Sequence, residues 1–321
     1  MTHAPKPEWA PHKAIWIGFP SHPELWQEDL DQARDEVAAF AAAVHAGGKG
    51  ETVLLVAADE EAGEAARRLA PFADVVVEPF GDIWLRDTGP IIAGDRVAHS
   101  FLFNGWGGKY DLPGDDDIGQ RLAAQRGKRI ERHSWVLEGG AIDGDGTGLV
   151  VTTEQCLLNP NRNPNLSRSD IEARLHSDLG FNRVLWLGDG LHNDHTDGHV
   201  DNLARFVGEG RLAIPVGGEN DPNWQVYANA AERARGAGVE VVPVPSAGRV
   251  LRDGEIVPAS YMNFYIGNAS VVVPIYGAAD DEAAVRELQA IFPGRNVVGL
   301  RADAILTGGG SFHCISQQIP A

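Results

Sequence analysis

Apolar residues recur at helical spacing in several segments of the chain. In 280–292 they fall on one helical face, and Pro293-Gly294 follows as a stop signal. Ser169-Asp-Ile-Glu172 has the pattern of a capping box, so a further helix is predicted to begin there. The same spacing predicts helices at 26–45, 62–69, 116–125 and 222–235.

Short runs rich in β-branched residues lie between these helices and predict strands. They cover 52–56, 75–77, 149–152, 184–186, 239–242 and 270–273. The last four helices recur about every 52 to 57 residues, a period typical of an array of similar supersecondary units. We therefore predict an α/β fold in which residues 1–321 form one domain of about five modules, each with one helix and about three short strands.

Charge and composition narrow the range of partners. The net charge is −18, from 45 acidic and 27 basic residues. Because nucleic-acid binders need a basic patch and anionic membranes attract cations, we expect neither partner. An acidic protein favours a cationic small substrate.

Segment 1–8 lacks the apolar core of a signal peptide, and no apolar run reaches the roughly 18 residues of a membrane span. With only two cysteines, the sequence predicts a reduced, cytoplasmic protein.

Cys314 is a candidate nucleophile. It follows Gly308-Gly-Gly310, and glycines allow both unusual backbone conformations and the close approach of a ligand. A thiol at this position is expected to be exposed and reactive, although a buried structural cysteine is an equal alternative. Cys156 lies beside strand-like residues, so core packing is its better interpretation.

A second candidate segment is 189–202, which is rich in histidine and aspartate. A metal site or a solvated polar loop are alternatives, but the segment matches neither a helical zinc motif nor a calcium loop. If the chain is extended at His199-Val-Asp201, these two side chains share a face. One can then move protons while the other holds a cation.

Asp87 and Glu138 are candidate site residues because of their positions in the repeat. Each follows a predicted helix by a strand and a turn, as His199 does, and Cys314 lies about two periods further on. If the modules surround an axis, these four residues converge at its centre. The intervening module, around Val257, offers no obvious chemical residue.

Four ordered motifs resemble those of agmatine deiminases, which belong to a wider guanidine-modifying superfamily that includes bacterial peptidylarginine deiminases. The motifs are Trp84-Leu-Arg-Asp-Thr-Gly-Pro90, Leu137-Glu-Gly-Gly140, Asp197-Gly-His-Val-Asp-Asn202 and Gly308-Gly-Gly-Ser-Phe-His-Cys-Ile-Ser-Gln-Gln318. The resemblance runs from Glu8 to the C-terminus and includes Tyr261-Met-Asn-Phe-Tyr265. It implies a five-fold pseudosymmetric α/β propeller, the pentein fold.

The resemblance also implies roles for individual residues. Cys314 corresponds to the nucleophile, His199 to the general acid and base, and Glu138 to an acid that supports the histidine. Asp87 and Asp201 correspond to the carboxylates that hold the guanidinium, and Trp84 to an aromatic residue of the substrate slot. Two positions depart from the family pattern: His195 stands where an acid is usual, and Ser311-Phe312 replaces Asn-Ile.

The expected reaction is hydrolysis of agmatine to N-carbamoylputrescine and ammonia through a covalent thiouronium on Cys314, with no metal or organic cofactor. Deimination of arginine or peptidylarginine is the main alternative. A metal-dependent hydrolase, a cysteine protease and a non-catalytic cation binder rank lower. Assembly into a homo-oligomer is left open.

Overall fold

The computed structural model describes residues 4–94 and 96–321, so residues 1–3 of the N-terminal segment lie outside it. Its strands are, in chain order, β1 His12–Gly18, β2 Thr52–Ala57, β3 Asp74–Val77, β4 Ile91–Ala93, β5 Val97–Leu102, β6 Arg129–Val136, β7 Asp143–Gly144, β8 Leu149–Thr153, β9 Arg183–Leu187, β10 Arg205–Gly208, β11 Arg211–Val216, β12 Glu240–Pro245, β13 Leu251–Arg252, β14 Glu255–Ile256, β15 Tyr265–Ile266, β16 Ser270–Ile275, β17 Asn296–Arg301 and β18 Ser316–Pro320.

The helices include several single turns. They are α1 Pro23–Trp26, α2 Leu30–His45, α3 Glu60–Leu69, α4 Leu85–Thr88, α5 Gly105–Gly108, α6 Ile118–Gln125, α7 Glu154–Leu157, α8 Arg168–Leu179, α9 Val200–Leu203, α10 Trp224–Gly236, α11 Asp281–Ile291 and α12 Asp303–Thr307. No helix in the described part of the chain is long and apolar enough to cross a membrane.

Most strands belong to sheets with one common plan. The orders are β4-β5-β6, β7-β8-β9, β10-β11-β12 and β15-β16-β17, and a fourth strand extends the sheet β18-β1-β2-β3. In each sheet the first pair is antiparallel and the next pair is parallel. A helix connects the parallel strands, as a parallel crossover requires. The C-terminal strand β18 pairs with the N-terminal strand β1, which joins the two ends of the chain.

The predicted α/β class and all six predicted strands are confirmed. The five-fold arrangement about an axis and the single-domain division stay predictions. Two helix starts were wrong. The long first helix breaks at Gln27, whose φ of 48° is left-handed, so α2 begins at Leu30. The capping box is formed by Ser167 and Asp170, not by Ser169 and Glu172, because Ser167 is the extended residue that precedes α8.

The sheet plan determines where chemical residues can meet. The segments carrying Asp87, Glu138 and His199 follow β3, β6 and β9, the last parallel strands of three different sheets, and the Cys314 segment follows β17. Carboxyl ends of parallel strands are common positions for ligand-binding loops in α/β proteins.

Candidate active site

Cys314 lies in the turn that follows α12 and three glycines. Two of the glycines are required by the ring of Trp84: a Cβ at Gly308 would lie 2.3 Å from its Cζ2, and one at Gly310 would lie 2.6 Å from its Cζ3. Gly309 has a φ of 99°, which side-chain-bearing residues rarely adopt. The glycine run therefore brings Trp84 against the backbone next to the thiol.

The expectation that Cys314 is exposed was wrong, because only 3% of the residue is accessible. Its thiol borders a cavity of about 220 Å³ that Trp84, Asp87 and Tyr110 also line. A small ligand can reach the sulfur there while bulk solvent is largely excluded, which strengthens electrostatic interactions.

Asn263 is a contact of Cys314 that the sequence reasoning missed. Its Nδ2 donates to Sγ of Cys314 at 3.0 Å, and its Oδ1 accepts from the backbone N–H of Cys314 at 3.2 Å. Asn263 comes from the module around Val257, which was expected to offer no chemical residue. The motif Tyr261-Met-Asn-Phe-Tyr265 was the available signal, but an amide has no charge or periodicity that marks it as part of a site.

Asp87, Asp201 and His199 converge around Gly140. A Cβ at Gly140 would lie 2.6 Å from Nδ1 of His199, 2.9 Å from Oδ1 of Asp87 and 3.0 Å from Oδ2 of Asp201. The backbone N–H of Gly140 donates to Oδ1 of Asp87 at 2.9 Å, and Nδ1 of His199 lies 3.7 Å from that oxygen. Only a residue without a side chain allows these three groups to approach so closely.

His199 and Asp201 do not share an extended segment, so the condition on which that prediction rested is not met. His199 has extended backbone angles but directly precedes the single turn α9, which contains Asp201. The two side chains still meet because the turn brings Asp201 back toward His199. Oδ1 of Asp201 is fully buried and has no hydrogen-bond partner within the described residues, so it is an open acceptor at the site.

Trp106 holds the second oxygen of Asp87. Its indole Nε1 donates to Oδ2 of Asp87 at 2.9 Å. Trp106 has a φ of 53° and sits between two glycines that are also left-handed, Gly105 and Gly107. Strained backbone of this kind is found at functional sites, and the run Gly-Trp-Gly-Gly was the sequence signal for it.

Behind the nucleophile, His313 connects two buried carboxylates. Its Nδ1 lies 2.8 Å from Oδ2 of Asp201, and its Nε2 lies 2.8 Å from Oε2 of Glu8. Because burial of Asp201 is outweighed by its hydrogen bond and attraction to His313, its pKa is lowered. Burial of Glu8 is likewise outweighed by Arg205 and His313, and its pKa lies well below the ordinary value. The hydrogen-bonded series from Glu8 through His313 keeps Asp201 ionised. Oδ2 of Asp201 lies 3.5 Å from Sγ of Cys314.

Glu138 lies close to His199, and its carboxylate also binds Arg162. Its Oε1 accepts from Nε of Arg162 at 2.6 Å, whereas Oε2 has no partner within the described residues. A carboxylate oxygen of Glu138, a ring nitrogen of His199 and the sulfur of Cys156 all lie within 4.8 Å of one another. Cys156 is buried in an apolar cluster, which fits the core-packing prediction, but its contact with His199 was not foreseen.

Electrostatics favour the protonated form of both the acid–base residue and the nucleophile. Burial by itself lowers the pKa of His199, but attraction by Asp87 and contacts with Cys156 and Glu138 outweigh it, so this pKa is raised well above the ordinary value. Burial, together with repulsion by Asp201 and Asp87, raises the pKa of Cys314 well above its ordinary value. Before substrate binds, these shifts make His199 a proton donor and Cys314 a neutral thiol.

Most acids of the loop 189–202 already have partners. Asp197 pairs with Lys109 at 2.6 Å and with Arg162 at 2.7 Å, and Asp194 accepts from Thr196. Within the described residues, the loop contributes only His199 to a cluster of ligand-type groups, the one with Glu138 and Cys156. The other cluster, His99, Glu131 and His133, lies on β5 and β6. The ion pairs of Asp197 and the hydrogen bond of Asp194 engage two of the acids that a metal site in this loop would need.

Comparison with known proteins agrees with this geometry. The family model of Porphyromonas-type peptidyl-arginine deiminases matches residues 4–320. The agmatine deiminase of Stutzerimonas stutzeri is 38% identical, with 98% of this chain and 94% of that protein covered. The agmatine deiminase of Ectopseudomonas mendocina is 37% identical, with the same coverage of 98% and 94%.

The solved structure of the agmatine deiminase of Enterococcus faecalis superposes with a TM-score of 0.92 at 30% identity, covering 99% of this chain and 96% of that one. The predicted deiminase fold is thereby confirmed. Since the family match and the relatives extend over nearly the whole chain, the protein belongs to the Porphyromonas-type peptidyl-arginine deiminase family.

Proposed function

We propose that this protein is an agmatine deiminase, which hydrolyses agmatine to N-carbamoylputrescine and ammonia with Cys314 as nucleophile. The observation that carries the proposal is the composition of the cavity at Cys314. Among the described residues, its lining includes the carboxylates of Asp82 and Asp87 but no lysine or arginine. Such a lining suits a substrate that has a cation at each end. The two relatives named above are agmatine deiminases, and the similarity to this chain covers 94% of each of them.

Binding begins with the guanidinium. Asp87 and the open Oδ1 of Asp201 can accept its N–H groups, and charge-assisted bonds from a planar cation to two carboxylates fix its orientation. Trp106 and Gly140 hold Asp87 in place through hydrogen bonds of 2.9 Å each. The central carbon of the guanidinium is then presented to Sγ of Cys314.

Substrate binding also activates the nucleophile. The raised pKa of Cys314 comes from burial and from repulsion by Asp201 and Asp87. A bound guanidinium neutralises both carboxylates and places a positive charge beside the sulfur, which favours the thiolate. Asn263 donates to the sulfur and stabilises that charge further.

Covalent chemistry then proceeds in two steps. As the guanidinium binds, the thiol of Cys314 releases its proton to solvent. Sγ then attacks the guanidinium carbon and forms an S–C bond, while His199 protonates the departing nitrogen, so that ammonia leaves and a thiouronium remains. His199, now neutral, removes one proton from water as the water oxygen adds to the same carbon. The S–C bond breaks to return the thiolate, the second water proton passes to solvent, and the product leaves with a neutral ureido group. Glu138, bound to Arg162, supports the imidazolium form of His199.

A second carboxylate in the cavity lining, that of Asp82, favours agmatine over arginine. Asp82 accepts from Nε1 of Trp84 at 2.7 Å, and burial, the largest effect on it, raises the pKa of its carboxyl. A primary ammonium near Asp82 offsets the free-energy cost of burying the ionised carboxylate. The α-carboxylate of arginine would instead be repelled by Asp82. Arg86 cannot compensate, because its guanidinium points to Glu8, Gln318 and the carbonyl of His313.

The proposal also places the reaction in the cytoplasm. Both cysteines are free, and a nucleophilic thiol must stay reduced, which suits the cytoplasm. The reaction needs no metal or organic cofactor, since the carboxylates, thiol and imidazole supply each step. The expectation of no nucleic-acid partner stays a prediction.

The proposal is tested by incubating the protein with agmatine and measuring ammonia and the ureido product. The wild type should release both in equal amounts. Cys314→Ser, verified as folded by an unchanged melting temperature, should lose turnover, because its hydroxyl is not ionised near neutral pH. Iodoacetamide should label Cys314, and agmatine should protect it. Turnover by folded Cys314→Ser would refute the covalent mechanism.

A further inference from the structure

The single turn α7 forms a platform for the loop that carries His199. Thr153 caps this turn by accepting from the backbone N–H of Cys156 at 3.2 Å, and its hydroxyl donates to the carbonyl of Gly198 at 2.6 Å. Gln155 accepts from the backbone N–H of Gly190 at 2.7 Å. The residue that precedes His199 is thus tied to the same turn that positions Cys156.

This platform places the thiol of Cys156 against the imidazole. Cys156, Glu138 and His199 are each fully buried, and one polar or sulfur atom of each lies within 4.8 Å of the others. Neither ring nitrogen of His199 has a hydrogen-bond partner, sulfur included, within the described residues. Oε1 of Glu138 is already occupied by Arg162. Its other oxygen, Oε2, has no partner in the described part of the chain, and the sulfur of Cys156 borders the ring together with this carboxylate.

We propose that Cys156 is a positioning residue for His199: its thiol holds the imidazole between Glu138 and Asp87 and stabilises the protonated ring as a weak acceptor. This inference rests on the proposed function, because the protonated His199 is the acid that releases ammonia. Cys156 does not touch the substrate in this scheme.

Two properties of the thiol fit this role. Burial raises the pKa of Cys156, and contact with His199 only partly opposes this effect, so the group is a neutral S–H. Cys156 is also not among the described residues that line the cavity at Cys314. Sulfur is polarizable and its hydrogen bonds are weak, so it can follow the ring as His199 loses and regains its proton.

The experiment compares Cys156→Ala and Cys156→Ser. Alanine removes the acceptor, and kcat for agmatine should fall about tenfold while KM stays within about twofold, since the carboxylates that bind substrate are intact. Serine restores an acceptor of similar size, so kcat should return to within about threefold of the wild type. Leu157→Ala is the matched control, because Leu157 lies on the same turn and in the same buried cluster. It should lower the melting temperature without changing kcat.

A second readout does not depend on turnover. In protein with isotopically labelled histidine, the His199 resonance is assigned by its loss in His199→Asn and is followed against pH. Its titration midpoint should be lower in Cys156→Ala than in the wild type, and unchanged in Leu157→Ala. If Cys156→Ala does not fold, Cys156→Val replaces it, because valine also lacks an acceptor.

The outcomes separate the two proposals. Absence of turnover by the wild type on agmatine would overturn the proposed function, while the histidine titration would still test the positioning role. A wild-type kcat together with an unshifted His199 midpoint in Cys156→Ala would overturn that role and leave the deiminase assignment intact. An equal loss of kcat in the serine and alanine variants would also contradict it.

Discussion

The carboxamide of Asn263 spans the nucleophile: Nδ2 donates to Sγ of Cys314 at 3.0 Å while Oδ1 accepts from the backbone N–H of the same residue at 3.2 Å. This pairing fixes both the position of the sulfur and the turn that carries it. A donor aimed at the sulfur stabilises the thiolate more than the neutral thiol.

Asn263→Ala should therefore reduce kcat/KM for agmatine by about 10- to 100-fold, or about 1.4 to 2.7 kcal/mol. The rate of iodoacetamide alkylation of Cys314 in the free enzyme should fall as well. Stopped-flow alkylation and steady-state kinetics measure the two effects. An Asn263→Ala protein with wild-type alkylation and turnover would show that the amide only supports the backbone.

Gly140 provides a steric test of the site. A methyl group at this position would lie 2.6 Å from Nδ1 of His199 and 2.9 Å from Oδ1 of Asp87. Gly140→Ala should lower kcat/KM by at least about 100-fold, because small displacements of catalytic groups are costly. Gly218→Ala is the control, since a Cβ there meets nothing within 4 Å and its φ is not left-handed. Equal activity of the two variants would place His199 and Asp87 outside the reaction.

Asp82 is predicted to recognise the amine end of the substrate. Asp82→Asn should lower kcat/KM for agmatine about tenfold, or about 1.4 kcal/mol, because the ammonium loses its anionic partner. The same variant should change kcat/KM for n-butylguanidine by no more than about twofold, since that substrate lacks the amine. Equal losses on the two substrates would indicate that Asp82 acts only by holding Trp84.

The pH dependence of alkylation tests the electrostatics of Cys314. Its pKa in the free enzyme is raised by burial and by repulsion from Asp201 and Asp87, so alkylation should be slow at neutral pH and increase as the solution becomes alkaline. Asp201→Asn removes a negative charge and should shift this profile to lower pH. Glu282→Gln, on the exposed side of α11, should leave it unchanged. An Asp201→Asn profile shifted to higher pH would reverse the assigned sign.

Local patterns explain why much of the fold was predictable. The valines of β16 and the apolar face of α11 are marked by periodicity, and their elements lie where the pattern placed them. Asp87, Glu138 and His199 were found because acids and histidines in ordered motifs are conspicuous. The structure brings all three to one place.

The missed contacts depend on long-range folding. His313 forms a hydrogen bond with Glu8, which lies 305 residues away along the chain, and no local sequence pattern predicts that pair. Trp106, which donates to Asp87, has a left-handed backbone and lies 19 residues further along the chain. Burial of Cys314 follows from the packing of Trp84 on Gly308 and Gly310, which spacing alone does not reveal.

The central claim is tested most directly by the specificity constants of the purified protein for agmatine, arginine and a blocked peptidylarginine. Each is measured from release of ammonia and the ureido product. Because the described lining of the Cys314 cavity has two carboxylates and no lysine or arginine, agmatine should exceed both other substrates by at least about tenfold, roughly 1.4 kcal/mol. A higher constant for arginine or for the blocked peptide would contradict the assignment of agmatine as the substrate.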